Sequence, residues 1–300
     1  MSLEYEGFSL KQISAGLDCV EKWLNDKGIA VTNNRFAEIK ENMLMINTFY
    51  GQGRLDELPP VWGNEKIIAS IVEATSFVNI YKAFKDFKDH RIPRKSLKKA
   101  VEGPYLSQDE NGKTNEARNF LFELELAAIF TLKGLEVLDF NDVSFKLDDA
   151  ICNIQCKRPM SGKSLNGHIK KAVQQGQNFF DREKSGLVPR GIIAISIDKM
   201  LGTDKQVIRT LTAHTLENHV NNKLKEFVEQ HNDKWSMIKD HRFLAVFVFM
   251  RAVVEVKNPL TFGPIRHIGI DHFLSGSIDQ VKDTQRLQLL AKLLAKQEKG

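Results

Sequence analysis

A chain of 300 residues with 42% hydrophobic side chains is long and apolar enough for one large or two ordinary domains, which excludes extended disorder. No run approaches 18 consecutive apolar residues, so a transmembrane helix is not expected, and the acidic start Met1–Gly7 has no apolar core of a secretory signal. The three cysteines are odd in number and lack zinc-site spacing, which fits reduced thiols in a cytoplasmic protein.

The first hundred residues read as helices. Ile13, Leu17, Val20 and Leu24 form one stripe ended by Gly28, and Asn33 or Asn34 would cap a second helix that buries Phe36, Ile39, Met43 and Ile46. After a loop with Gly51, Gly53, Pro59, Pro60 and Gly63, a third helix is predicted from about 64 to 87, with Ile67, Ile68, Ile71, Phe77, Tyr81 and Phe84 inward. The net charge is +5 with a pI near 8.9, which is mild, but its distribution is not. Between Lys82 and Lys99 eight basic residues face only Asp86 and Asp89, a surplus larger than that of the whole chain. Such a concentration, with Lys95, Lys98 and Lys99 at its end, can follow a phosphate backbone or be a plain solvated face. A polar connection from Glu102 to Lys113 then marks a boundary, giving a helical domain over 1–100 and a second domain over 101–300.

The second part alternates. A helix from Thr114 or Asn115 to about 133 precedes a short strand at 135–138 and a β-hairpin. In the first hairpin strand Asp142, Ser144 and Lys146 point one way and Val143, Phe145 and Leu147 the other. In the second, Asn153, Gln155 and Lys157 share a face opposite Cys152, Ile154 and Cys156. A helix from about 165 to 180, the apolar run Gly191–Ile197, a helix at 204–230, a strand at 243–250, a possible strand at 253–256 and a closing helix at 279–296 follow. In the closing helix Val281, Leu287, Leu290 and Leu294 would face inward. An acid, an amide oxygen and an ammonium on one strand face are the groups that metal-assisted phosphodiester hydrolysis needs.

This ordered set, Glu123 on an apolar helix, Gly134, the strand, Asn141-Asp142, Gln155-Cys156-Lys157 and a helix, resembles the PD-(D/E)xK nuclease superfamily in its Gln variant. The nearest likeness is to Mrr-like restriction endonucleases and Holliday-junction resolvases, and it covers roughly residues 115–197. The resemblance implies an α/β protein: a restriction-endonuclease-like α-β-β-β-α-β core with a mixed sheet, preceded by the helical domain. It implies Mg²⁺ or Mn²⁺ held by Asp142, Gln155, the Cys156 carbonyl and Glu123, and cleavage of DNA, with RNA a second candidate, in restriction, phage defence or DNA repair. Catalysis would fall to Glu123, Asp142, Gln155 and Lys157. Arg158, Lys163, Lys170, Lys95, Lys98 and Lys99 would hold the nucleic acid, and cutting both strands would call for a homodimer.

Each residue also has a plainer reading. Glu125 competes with Glu123 from the opposite side of the helix, and Glu123 is preferred because its distance from Gly134 matches the family's helix. Asp148 and Asp149 are turn residues first and ligands second. Lys163, Lys170, Lys171 and Gln174 would lie along one helix, and His168 reads as a surface or cap residue. Ser161-Gly162-Lys163-Ser164 is no P-loop, because position 157 is Lys where that motif needs Gly. His214, His219 and His231 have no metal-ligand spacing. Gln155 departs from the usual acid: an amide offers one neutral oxygen, so metal affinity falls unless Asp142 and Glu123 both contribute. That departure motivates a first alternative, an inactive nuclease-fold protein that binds nucleic acid. A second is a protein–protein adaptor that docks through its helical domain.

Overall fold

Side-chain periodicity sets the N-terminal layer. Ser9 opens α1 (Leu10–Asp26) with a reciprocal capping box to Gln12, and Ile13, Leu17, Val20 and Leu24 are buried along its stripe. Asn34 accepts from the Ala37 amide to start α2 (Arg35–Gly51), which buries Phe36, Ile39, Met43 and Ile46. Then come α3 (Asn64–Phe84), the short α4 (Arg94–Ala100), which starts just after Pro93, and α5 (Glu116–Leu132). α3 is long and apolar enough to cross a membrane, yet 72% of its most apolar window is buried within this fold. The computed structural model describes residues 4–5, 9–54, 63–88, 91–106, 109–110, 115–140, 143–258, 260–272 and 279–295. Pro59 and Pro60, residues 107–108 and 111–113 of the polar connection, and Asn141 and Asp142 lie outside the described residues.

The protein is α/β with a mixed sheet. Its strands are β1 (Glu4–Tyr5), β2 (Glu136–Asp139), β3 (Ser144–Leu147), β4 (Ala150–Lys157), β5 (Val188–Ser196), β6 (Ile208–Thr212), β7 (Phe243–Asn258) and β8 (Leu260–His272). They run in the order β1-β8-β7-β5-β4-β3-β2, with β6 beside the far half of β7. β2, β3 and β4 pair antiparallel, β4, β5 and β7 parallel, and β7 and β8 antiparallel. The expected order helix, three strands, helix, strand is therefore present from α5 through β5, with α6 (Gly162–Arg182) as the crossover.

Two apolar layers flank the sheet. One joins α1 to α5 and α10 (Gln280–Leu294) to Phe145, Cys152, Ile154, Ile192, Ala194, Phe247 and Phe249. Helices before residue 100 and strands after it thus share one core. The other layer packs α6, α8 (Ala213–Gln230) and α9 (Asn232–Trp235) on Ile193, Ile195, Val246, Val248 and Met250.

Three expectations change. The helix expected from residue 204 is split: the β-branched stretch Ile208–Thr212 forms β6, and Thr212 then caps α8 by accepting from the Thr215 amide. The strands expected at 243–250 and 253–256 are one 16-residue strand, because Arg251 in their midst is paired rather than exposed. β8 was not expected, since Gly263, Pro264 and Gly269 interrupt its pattern. On α10 Leu287, Leu290 and Leu294 are buried, but Val281 is 73% exposed. Six residues from Leu287 puts Val281 about a third of a turn off the stripe. Asp283 and Arg286 fill the inward positions instead, as an ion pair at 2.5 Å extended by Arg190, 3.0 Å from Asp283.

Gly191 lies within β5 where the Phe180 and Phe243 rings meet at 5.2 Å. A Cβ there would fall 2.6 Å from Phe180 and 2.7 Å from Phe243. Alanine would lower the backbone entropy cost in a strand, but overpacking opposes it and dominates. Gly191→Ala should therefore destabilise the fold by about 1–3 kcal/mol in urea unfolding; a neutral or stabilising result would show that the ring pair gives way freely.

Candidate functional site

The hairpin forms as its alternation requires. Ser144 pairs with Asn153 and Phe145 with Cys152, and the turn at Asp148 and Asp149 is closed by Asp148 at φ 56°. Asp149 leaves the turn to pair with Arg286 and, at 3.7 Å, with Lys282. It therefore ties the hairpin tip to α10, and the turn reading holds for both aspartates. Phe145 and Leu147 are buried in the layer under α5, while Lys146 is exposed.

Asn153, Gln155 and Lys157 occupy the other face of β4, level with Gly191, Ile193 and Ile195 of β5, and lie beneath α6. Asn153 and Gln155 are buried, and Gln155 Nε2 donates to Asn153 Oδ1 at 2.6 Å. That bond fixes the amide through its nitrogen and leaves the oxygen, the metal-binding atom, unspent in it. Lys157 is half-buried and its Nζ donates to the Cys156 carbonyl at 3.0 Å, so this expected metal ligand is already shared with an ammonium. His168 of α6 stands near enough to feel Lys157. Burial first, and then Lys157 and Lys171, push its pKa below 6.5.

Not every expected residue joins this face. Asp142 lies outside the described residues. Glu123 is half-buried on α5, which packs on the opposite face of the sheet from Gln155 and Lys157. Glu125 is buried outright and holds Arg251 at 2.8 Å, which removes it as a competitor. Among the described residues no three His, Cys, Asp or Glu side chains gather as a metal site. The described oxygens are neutral, so they suit a hard cation only if Asp142 adds its charge.

The expected cations divide. Lys163 and Lys170 are exposed on α6, the helix that covers this face of β4. Lys95 and Lys98 are exposed on α4, in the other layer, and Lys99 pairs with Glu116 while its ammonium sits 4.6 Å from the Phe120 ring. Arg158 corrects a sequence expectation: it is 8% exposed, held 3.4 Å from Glu110, and not on an open surface. Strand alternation explains this, because the residue after Lys157 turns to the other face, beneath α3 and α5.

Sequence reasoning missed a buried ion network on that second face. Glu73 of α3 meets Arg35 at 2.9 Å and Arg118 at 2.5 Å, and Arg118 also meets Glu110 at 3.1 Å. Arg251 of β7 bonds Glu125 and, through Nε and Nη2, Asp198. Burial alone would lower the Arg251 pKa, but Glu125 and Asp198 raise it above the ordinary value. Arg35, more fully desolvated, is pulled down to about 10 despite Glu73. The available signal was a charge inside an apolar segment, Glu73 in Ile71–Phe77 and Arg251 in Phe243–Val256, which must be paired. No protein-family model, curated protein or solved structure matches the chain.

Two outcomes follow from these charges. Arg251→Met leaves Glu125 and Asp198 without their shared cation and should cost about 3–5 kcal/mol in urea unfolding, partly recovered by adding Glu125→Gln. His168, with its folded pKa below 6.5, binds fewer protons than in the unfolded chain. Its contribution is therefore present above pH 6.5 and declines as pH falls from there toward the folded value. His168→Gln should flatten that limb of the melting-temperature profile, and an unchanged limb would assign it to other groups.

Proposed function

We propose that the chain is a restriction-endonuclease-like, metal-dependent phosphodiester hydrolase acting on DNA. The observation that carries the reading is the shared face of Asn153, Gln155 and Lys157 at the end of β4, within the order α5-β2-β3-β4-α6-β5. Asp142 would supply charge to the metal, with Gln155 and the Cys156 carbonyl as neutral oxygens. The metal, when bound, supplies a water of lowered pKa and a Lewis acid for the phosphate. Lys157 would offset charge developing on the phosphate, in a half-buried setting where such an interaction is stronger than in water. Lys163 and Lys170, exposed on α6, would hold the backbone without reading sequence.

A second reading has its own observation. Gln155 is buried, uncharged and bonded to Asn153, an environment that also fits a nuclease fold that binds nucleic acid without cutting it.

The test separates chemistry from binding. Lys157→Ala and Asp142→Ala should each abolish plasmid nicking with Mg²⁺ or Mn²⁺, a loss of about 10²–10³ or more in rate, and leave DNA retention nearly intact. Lys163→Ala with Lys170→Ala should weaken binding and reduce its salt slope by about two. Gln155→Glu should hold or raise metal affinity, since it adds a charge at the same reach. Wild-type protein that binds DNA but cuts neither DNA nor RNA would establish the non-cutting reading, and absence of binding would point to an adaptor.

A further inference from the structure

The second face of β4 carries a polar site that the proposed hydrolase does not use. Three cations converge on one carboxylate: Lys199 lies 2.9 Å from Glu110, Arg118 3.1 Å and Arg158 3.4 Å. Burial would raise the Glu110 pKa, but Arg158, Arg118 and Lys199 together hold it below the ordinary carboxylate value. Arg118 is further neutralised by Glu73. Arg158 is not: among the described residues Glu110 is its one ion-pair partner, at the outer limit of contact, and its Nε has no hydrogen-bond partner. A guanidinium 8% exposed with a donor unspent is costly, and burial, larger than the pull of Glu110, lowers its pKa.

Arg158 opens onto a cavity of about 40 Å³ at the carboxyl ends of β4 and β5. Lys199, Arg118, Arg251 and Thr203 line it with Arg158, and Ile68, Ala69 and Val72 of α3 form its apolar side. Three acids line it as well. Glu73 is held by Arg35 and Arg118, Asp198 by Arg251, and Asp204 is half-buried at residue 204 just after Thr203. The space suits a group of a few heavy atoms and is too small for a nucleobase. Arginine forks select planar or tetrahedral oxyanions through paired N–H donors. The carboxyl ends of parallel strands are also where open α/β sheets gather ligands.

We propose that this cavity binds a phosphate group, with Arg158 as its principal donor and Lys199 and Thr203 beside it. The site lies on the opposite face from Gln155 and Lys157 and does not depend on the hydrolase reading. Its occupant is either free inorganic phosphate or the terminal phosphate of a nucleic-acid strand.

The experiment is a titration of the full chain with inorganic phosphate at constant ionic strength, read by calorimetry and melting temperature, with acetate and chloride as controls. Saturable binding and a melting-temperature rise beyond the controls are expected. Arg158→Gln should weaken binding at least about tenfold, the loss expected for one charged hydrogen bond. Lys199→Gln should weaken it too, and serves if Arg158→Gln does not fold. Lys157→Ala should leave it unchanged, which keeps this result separate from any failure of nicking. A 5′-phosphorylated thymidine oligonucleotide binding more tightly than its 5′-hydroxyl twin would assign the strand terminus. Equal binding of the two would assign free phosphate. No saturable phosphate effect in the wild-type chain, or an effect untouched by both substitutions, overturns the proposal.

Discussion

β7 is buried on both faces along most of its 16 residues, and that burial constrains everything around it. β5 and β6 follow one another along one edge and β8 covers the other, so no central edge is left for water. A side chain that carries charge in such a strand cannot be solvated and must be met by the layers above. Arg251 is that residue. Its guanidinium reaches Glu125 on α5, Asp198 at the start of α7 (Asp198–Leu201) and, at 3.5 Å, Ser76 on α3. The Arg251 amide also donates to Asp198 at 2.8 Å. One cation thus fixes how two helices of the N-terminal layer and the turn after β5 meet the sheet. Such pairs repay their desolvation only in part, so their contribution is mainly to the uniqueness of the arrangement.

Elements whose information is local were legible in the sequence. α1 and α2 follow from stripes and caps within four residues, and the hairpin follows from alternation and a two-residue turn. The same alternation gave the shared face of Gln155 and Lys157. What failed was non-local. The β6 stretch is short and β-branched, but it becomes a strand only because β7 offers it an edge. Val281 is apolar but off the stripe, while Asp283 is charged and on it, because Arg190 and Arg286 meet it there. The ion network was hidden for the same reason: Arg118 and Glu73 are 45 positions apart, Arg251 and Glu125 126. Neighbour rules at three and four residues cannot find such pairs. Arg158 shows a subtler failure. Its chemistry suggested a phosphate contact beside Lys157, but one step along a strand reverses the face, and the contact it can make lies on the other side of the sheet.

The end of β4 therefore serves both faces with consecutive residues. Lys157 points under α6 within electrostatic reach of His168, and Arg158 points under α3 and α5 toward Glu110. Pro159 follows, with its fixed φ, and restricts the backbone of Arg158 before it. β4 is paired to β5 as far as Lys157, while its ladder to β3 covers only Ala150 to Asn153. A ligand that draws Arg158 toward the cavity would be resisted by the same ladder that holds Lys157 in place. Any coupling between the two faces must then run through rotation or slip of the strand end as a unit, and linkage requires its effect on the two affinities to be equal. A paired strand of this kind moves little, so the two faces are built to act side by side more than to regulate each other.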